Sequence, residues 1–342
     1  MMTPDNPLGM RGLAFVETAG PNPDELDTLW KAFGFSKTRR HRNLAVDLYE
    51  QHDIQLLVNR AAGTFADHFQ ALHGPCICGL GIRVDNARAA YEEAVRRGAR
   101  PFVAREGARG ALDLPAVYGI GDALMYFVDE GWPEREFVAH PAPERVADKG
   151  FLCIDHLTNN VHKGTLQTWA DYYKRIFGFT ELRTFDIRGQ RTGLYSFALQ
   201  SPCKTFCIPI NEGTESKSQI EEYLRDYHGP GVQHLAFLTQ DLLSSLDRMD
   251  GKIPMLDIDD EYYATVFNRV PNVSEDHARI HKHQVLVDGD EDGYLLQIFT
   301  RNLMGPIFIE LIQRKNHRSF GEGNFSALFR SIERDQERRG VL

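Results

Sequence analysis

No stretch of this 342-residue chain approaches the ~18 consecutive apolar residues that a membrane-crossing helix needs. Its opening, MMTPDNPLGMRG, lacks the apolar core of a secretory leader, so a cytoplasmic protein is expected. Cysteine is scarce. Cys76, Cys78, Cys153, Cys203 and Cys207 are odd in number and form no CxxC, which argues against both a disulfide framework and a cysteine-built zinc site. There is no basic run either: 39 Lys and Arg stand against 48 Asp and Glu, a formal net charge of −9, so nucleic acid and anionic membrane are poor partners. What remains is 42% hydrophobic and 25% charged, the balance of a soluble globular chain. Its length fits two domains, each able to bury a core of its own.

The chain repeats itself. HGPCICGLGIRVDN from His73 and HGPGVQHLAFLTQD from His228 open alike, 155 residues apart, and place Leu80 on Leu235. Upstream of each, a helix ends in Phe-Gly-Phe, within LWKAFGF and YYKRIFGF, where the glycine stops the helix. Leu26, Leu29, Trp30 and Phe33 recur at helical spacing, as do Trp169, Tyr172, Tyr173 and Ile176. Short alternating strands surround them: LAVDLYE, IQLLVN, GLYSFALQ and TFCIPIN. The pattern predicts an α+β protein made of a duplicated module. One domain spans 1–145 and a second 150–342, joined near the Pro-rich AHPAPERVADKG.

Duplication supplies an internal control. His234 lies in mid-strand, with Val232 and Ala236 on its face and Gln233, Leu235 and Phe237 on the other; its counterpart in the first half is Gly79, and that of Gln233 is Cys78. The fold at that position does not need an imidazole. A second in-strand histidine, His156, lies in FLCIDHLTNNV, and in GPIFIELIQR the carboxylate of Glu310 is expected to be buried between Ile309 and Leu311. A buried carboxylate needs a cation, a hydrogen-bond network or a proton, and Arg314, four residues on, is the alternative partner. His156, His234 and Glu310 fall on three separate strands, spaced by 78 and 76 residues. Two imidazoles and one carboxylate are the facial triad of non-haem Fe(II) enzymes, which leaves positions open for substrate and O2; zinc could take the same set. Fe(II) with one carboxylate keeps a net positive charge suited to a bidentate 2-oxo acid. His281 and His283 in HKH are read as solvated side chains in a polar loop, and His162 as solvated near a turn.

Five segments in order, IDHLTNNV, GVQHLAFLTQD, GYLLQIFT, GPIFIELIQRK and FGEGNFSALFRSIERDQ, resemble the 4-hydroxyphenylpyruvate dioxygenase family of the vicinal-oxygen-chelate superfamily. The resemblance implies βαβββ modules in two open-barrel domains, with metal ligands only in the second, and a C-terminal gating helix. It implies Fe(II) held by His156, His234 and Glu310. It places Ser196, Asn211, Gln219, Gln233 and Gln297 as polar groups around the substrate, and Pro209, Phe299, Phe308, Phe320, Asn324, Phe325, Leu328 and Phe329 in the substrate pocket and its lid. Gln297 and Phe299 share a strand face, as do Pro209 and Asn211, but alternation turns Gln233 away from His234 unless a bulge intervenes. Phe325, Leu328, Phe329 and Ile332 make a helical stripe that periodicity alone reads as core, with Gly321 and Gly323 before it at the place of a hinge.

The implied reaction converts 4-hydroxyphenylpyruvate and O2 to homogentisate and CO2 in tyrosine and phenylalanine breakdown, with no separate 2-oxoglutarate. A homodimer or homotetramer is implied as well. The alternatives are a 4-hydroxymandelate synthase using the same iron and substrate, or a non-catalytic binder of small molecules on the same fold. A ring-cleaving extradiol enzyme would need an acid–base histidine that the sequence does not offer.

Overall fold

Helix and strand boundaries follow local chemistry. Helix α1 (Pro23–Ala32) begins with Pro23 and carries Asp24 and Glu25 in its first turn, where their charge meets the positive end of the helix dipole. It buries Leu26 and Trp30. Gly34 and Gly178, the glycines of the two Phe-Gly-Phe stops, have φ of 86° and 77°, a backbone that side-chain-bearing residues adopt at a cost.

The computed structural model describes residues 2–104, 112–189 and 192–340. The first half runs β1 (Met10–Ala19), α1, β2 (Ser36–His41), β3 (Val46–Gln51) and β4 (Ile54–Asn59). It continues through α2 (Phe65–His73), β5 (Cys76–Val84), α3 (Ala87–Arg96), β6 (Ala116–Tyr118), β7 (Leu124–Val128), α4 (Trp132–Glu136) and β8 (Phe137–Glu144). The second half runs β9 (Phe151–Val161), α5 (Leu166–Phe177), β10 (Thr180–Arg188), β11 (Gly193–Gln200), β12 (Cys207–Gly213) and α6 (Gln219–Asp226). There follow β13 (Gly231–Thr239), α7 (Leu242–Met249), α8 (Asp260–Arg269), α9 (His277–Lys282), β14 (Leu286–Gly289), β15 (Tyr294–Phe299), β16 (Phe308–Lys315) and α10 (Phe325–Arg338).

Each half forms one eight-stranded sheet, ordered β6-β7-β5-β1-β4-β3-β2-β8 and β10-β11-β12-β9-β13-β16-β15-β14. Both centre on an antiparallel pair, β1 with β5 and β9 with β13, flanked by parallel neighbours. The repeat is therefore finer than a simple doubling of the chain. In the second half the strand-helix-three-strand unit occurs twice, once from β9 to β12 and once from β13 to β16 with α8 and α9 inserted.

Registers make the correspondence between halves residue-specific. Ala236 pairs with His156 on one side and Glu310 on the other. At the matching point of the first half, Gly81 pairs with Phe15 and Tyr126. Phe15, Gly79 and Tyr126 thus hold the positions of His156, His234 and Glu310.

Two sequence expectations change. The Pro-rich joint is not all linker: Ala139–Glu144 belongs to β8, which pairs with β2 at the sheet edge, the place where Pro141 and Pro143 cost no ladder hydrogen bond. His281 and His283 lie not in a loop but on α9 and at its C-cap, where their Nε2 atoms stand 2.9 and 2.8 Å from carboxylate oxygens of Asp260 and Asp247.

The halves share a core. Phe33 and Phe35 of the first meet Phe237 of the second at ring-centre distances of 5.9 and 5.5 Å. His73 stacks on Tyr227 at 4.6 Å.

Candidate metal centre and substrate cavity

The three strands β9, β13 and β16 lie side by side, and their registers bring three side chains to one point. His156 Nε2 is 3.0 Å and His234 Nε2 3.4 Å from Glu310 Oε2. One ligand atom from each residue falls within 4.8 Å of the others. Adjacent ligands held at about 2.1 Å around an octahedral ion stand roughly 3 Å apart, close to the two distances from Glu310 Oε2 to the imidazoles, so these residues could hold a metal. Exposures of 3%, 8% and 3% for His156, His234 and Glu310 show that the cluster is buried.

Charge responds to that burial. Desolvation acts to raise the Glu310 carboxyl, yet the two imidazoles beside it bring it down to about 2. Burial pulls His156 down, while the Glu310 charge and hydrogen bonding to Asp155 and Glu310 lift it to about 9. For His234 burial dominates and the shift is downward.

The outer ring nitrogens are also held. His156 Nδ1 is 2.8 Å from Asp155 Oδ2, and His234 Nδ1 is 3.2 Å from Gln233 Oε1. Both imidazoles thus direct Nε2 at the common point. Arg314 does not pair with Glu310, the alternative raised by its spacing; its guanidinium forks onto Asp155, with Nε and Nη2 each 2.8 Å from a carboxylate oxygen.

Simple alternation along β13 fails at Gln233. The pairing of β13 with β9 shifts between Val232 and His234, a bulge that turns consecutive residues Gln233 and His234 into the same cavity. The orientation that alternation gave for Gln233 is corrected by that bulge.

A cavity of about 650 Å3, including its open mouth, lies over the cluster. Ser196, Pro209, Asn211, Gln219, Gln233, Gln297, Phe299, Phe308, Phe320, Phe325, Leu328 and Phe329 all line it. Phe308 stacks on the His234 ring at 4.7 Å, and Phe320 meets the His156 ring edge-on at 5.5 Å. Gln297 is 1% exposed and its Oε1 has no hydrogen-bond partner, an orphan acceptor at the cavity wall. Gly321, at φ 80°, passes so close that a Cβ there would be 2.1 Å from that oxygen.

Asn324 departs from the expectation. It is fully buried but is not part of the cavity wall; its Oδ1 accepts from Tyr262 Oη at 2.7 Å and from the Arg269 guanidinium at 3.2 Å, beneath the start of α10. The backbone turn at Gly321–Asn324 directs the side chain inward toward α8 rather than toward the ligand space. Phe325, Leu328, Phe329 and Ile332, the stripe that periodicity read as core, face the cavity.

Four lining residues escaped the sequence reading: Thr158, Phe185, Ile187 and Leu194. Phe185 was legible in principle, because it pairs directly with Ser196 across β10 and β11, and a registered hairpin would have placed it.

The description "Hydroxyphenylpyruvate dioxygenase, HPPD, N-terminal" matches residues 4–140, and "Glyoxalase/Bleomycin resistance protein/Dioxygenase superfamily" matches 154–298. A 4-hydroxyphenylpyruvate dioxygenase of Legionella pneumophila is 42% identical, covering 100% of this chain and 99% of its own. The chain belongs to the 4-hydroxyphenylpyruvate dioxygenase family. Protein MelA of Shewanella colwelliana is 53% identical, with 100% of each chain covered. A triple mutant of 4-hydroxymandelate synthase from Streptomyces coelicolor has a similar solved structure, with a TM-score of 0.81 at 25% identity, covering 96% of this chain and 99% of that one. The glyoxalase fold of the 4-hydroxyphenylpyruvate dioxygenase family is the fold seen here, two sheets of repeated units, and among the described residues the two-histidine, one-carboxylate cluster lies in the second.

Proposed function

We propose that this chain is a 4-hydroxyphenylpyruvate dioxygenase that uses Fe(II), held by His156, His234 and Glu310, to convert 4-hydroxyphenylpyruvate and O2 to homogentisate and CO2. The observation that carries the reading is the buried two-histidine, one-carboxylate cluster opening on an aromatic cavity in a chain of this family. Zinc suits the same ligands, but a reaction with O2 needs a redox-active ion, which favours iron. Bound Fe(II) would supply the O2 chemistry, with the 2-oxo acid of the substrate as the source of the remaining electrons.

The residues of the chain do the rest. The cluster presents a site for the carboxylate and keto oxygens of the substrate. Phe299, Phe308 and Phe329 form walls for the aromatic ring, and apolar α10 residues line the cavity and limit the water that reaches the reacting atoms. Gln297, with its unpaired Oε1, accepts from the phenol or a bound water; Ser196, Asn211 and Gln219 offer further polar contacts on the β11, β12 and α6 side. Gln233 fixes the His234 ring through Nδ1. Gly321 is the pivot about which α10 opens and closes.

In this reading residues 1–145 form a domain without metal ligands and 150–342 the catalytic one. The enzyme is cytoplasmic, in keeping with five free cysteines, and assembles as a homodimer or homotetramer.

Anaerobic incubation of the Fe(II)-loaded protein with 4-hydroxyphenylpyruvate, then admission of O2 and identification of the product by chromatography and mass, tests the assignment. Homogentisate is expected. Hydroxymandelate would move the chain to the synthase reaction, and absence of either product with iron bound would remove the substrate assignment.

A further inference from the structure

Arg314 is where the metal cluster meets the segment leading into α10. Its Nε and Nη2 hold the two oxygens of Asp155, which in turn lies against His156 Nδ1. Its Nη1 donates to the backbone carbonyls of His317 at 3.1 Å and Ser319 at 2.6 Å. Its guanidinium also stands 5.9 Å from the centre of the Phe320 ring, whose edge contacts His156. Gly321 and the first turn of α10 follow directly. Side-chain exposures of 17% and 14% for Arg314 and Asp155 leave little water to compete for these bonds.

The first half again provides a control. Asp155 corresponds to Ala14, and the position of Arg314 falls beyond the end of β7. The sheet forms without the pair in the half that has Phe15 in place of His156. A pair serving only the sheet would have no reason to be confined to the half that carries the ligands. Buried ion pairs are in general poor stabilisers, because desolvation offsets most of the attraction, so such a pair calls for another role.

We propose that Asp155 and Arg314 are positioning residues: Asp155 keeps the His156 proton on Nδ1 and Nε2 aimed at the metal, and Arg314 ties that placement to the seating of residues 317–320 and hence of α10. Seating the helix and orienting the ligand become one event. A metal site ordered through Arg314 favours the closed helix, and an opened helix loosens His156. The inference rests on the metal reading of the cluster.

The test uses the full-length protein and Co(II) as probe, with affinity read by calorimetry and backbone hydrogen exchange followed over residues 320–338 with and without metal. The wild type and His156→Ala fix the baseline. The paired variant Asp155→Asn/Arg314→Met leaves neither buried charge stranded. It is expected to remain folded, to bind Co(II) about 10- to 100-fold more weakly, and to lose the slowing of exchange that metal confers on 320–338. Arg314→Lys keeps the charge but cannot fork onto both Asp155 and the carbonyls. It is expected to recover part of the affinity and none of the coupling, and it serves as well where the paired variant does not fold. Wild-type affinity and exchange coupling in either folded variant would overturn the proposal while leaving the metal site standing. If His156→Ala bound Co(II) as tightly as wild type, the metal reading itself would fall and the proposal with it.

Discussion

Phe15, Gly79 and Tyr126 in the first sheet and His156, His234 and Glu310 in the second occupy the same register positions on the same central strands. In the second sheet these side chains are polar, converge on one point and leave a cavity above it. In the first they close the space: the Phe15 ring lies 5.6 Å from Tyr126 and 4.7 Å from Trp132, within a separate apolar cluster that includes Leu48, Leu57 and Leu124. A carboxylate persists there, Glu17, fully buried and held by Asn59 Nδ2 at 2.8 Å and Tyr126 Oη at 2.9 Å. Its partners are neutral, and burial pushes its pKa up, whereas Glu310 between imidazoles is pushed down. One backbone plan thus yields a packed apolar cluster or a polar cluster beneath a cavity, depending on three side chains and their neighbours.

The sharpest way to break the comparison is to remove a ligand. His234→Ala is expected to lose bound metal and to take homogentisate formation below detection, checked by metal analysis and product assay on the same sample. Next in size comes Phe15→Ala, the register equivalent of a ligand. It should cost about 3–5 kcal/mol of stability in urea unfolding while turnover per folded molecule is retained; a loss of turnover in folded protein would show that the first half takes part in the reaction. Gly79→Ala sharpens the contrast at the position of His234, because a Cβ there would lie 2.5 Å from Tyr126 Cε2 and 2.8 Å from Glu17 Oε2. Its expected cost is about 1–3 kcal/mol in the same assay, and an unchanged midpoint would mean that the packed counterpart has slack.

The smallest effect is one of pH. Because the folded-state pKa of Glu17 is raised above its unfolded value, the native state holds the proton more tightly. The stability contributed by the protonated carboxyl is full below the unfolded pKa, near 4.5, and declines as pH rises through the folded value. Glu17→Gln should flatten that decline in melts compared between pH 5 and 8. A steeper fall in the variant would reverse the assignment.

Much of this was legible in the residues themselves. The HGP openings at His73 and His228 marked β5 and β13, whose bounds match at the same offset, and the absence of a histidine at Gly79 singled out His234, which the structure places beside His156 and Glu310. What failed depended on backbone geometry that side-chain patterns do not encode. Gln233 needed a bulge in β13, visible only as a shift in pairing with β9. Asn324 needed the direction of the turn after Gly321. The stripe on α10 was correctly spaced, but periodicity cannot distinguish a helix face packed on side chains from one packed on a cavity. The Asp155–Arg314 pair was hidden because its members are 159 residues apart and Glu310 offered a nearer apparent partner.

Because His156, His234 and Glu310 come from β9, β13 and β16, neighbours in space drawn from distant parts of the chain, an ion bound between them would act as a reversible cross-link across the middle of the second sheet. Binding to the folded form alone adds stability that grows with the logarithm of free metal, about 2.7 kcal/mol at a hundred times the dissociation constant. Among the described residues the first sheet holds no such cluster. Packing is a fixed property of the polypeptide, whereas this contribution would be drawn from the medium, and a melting midpoint followed against added metal would read it out.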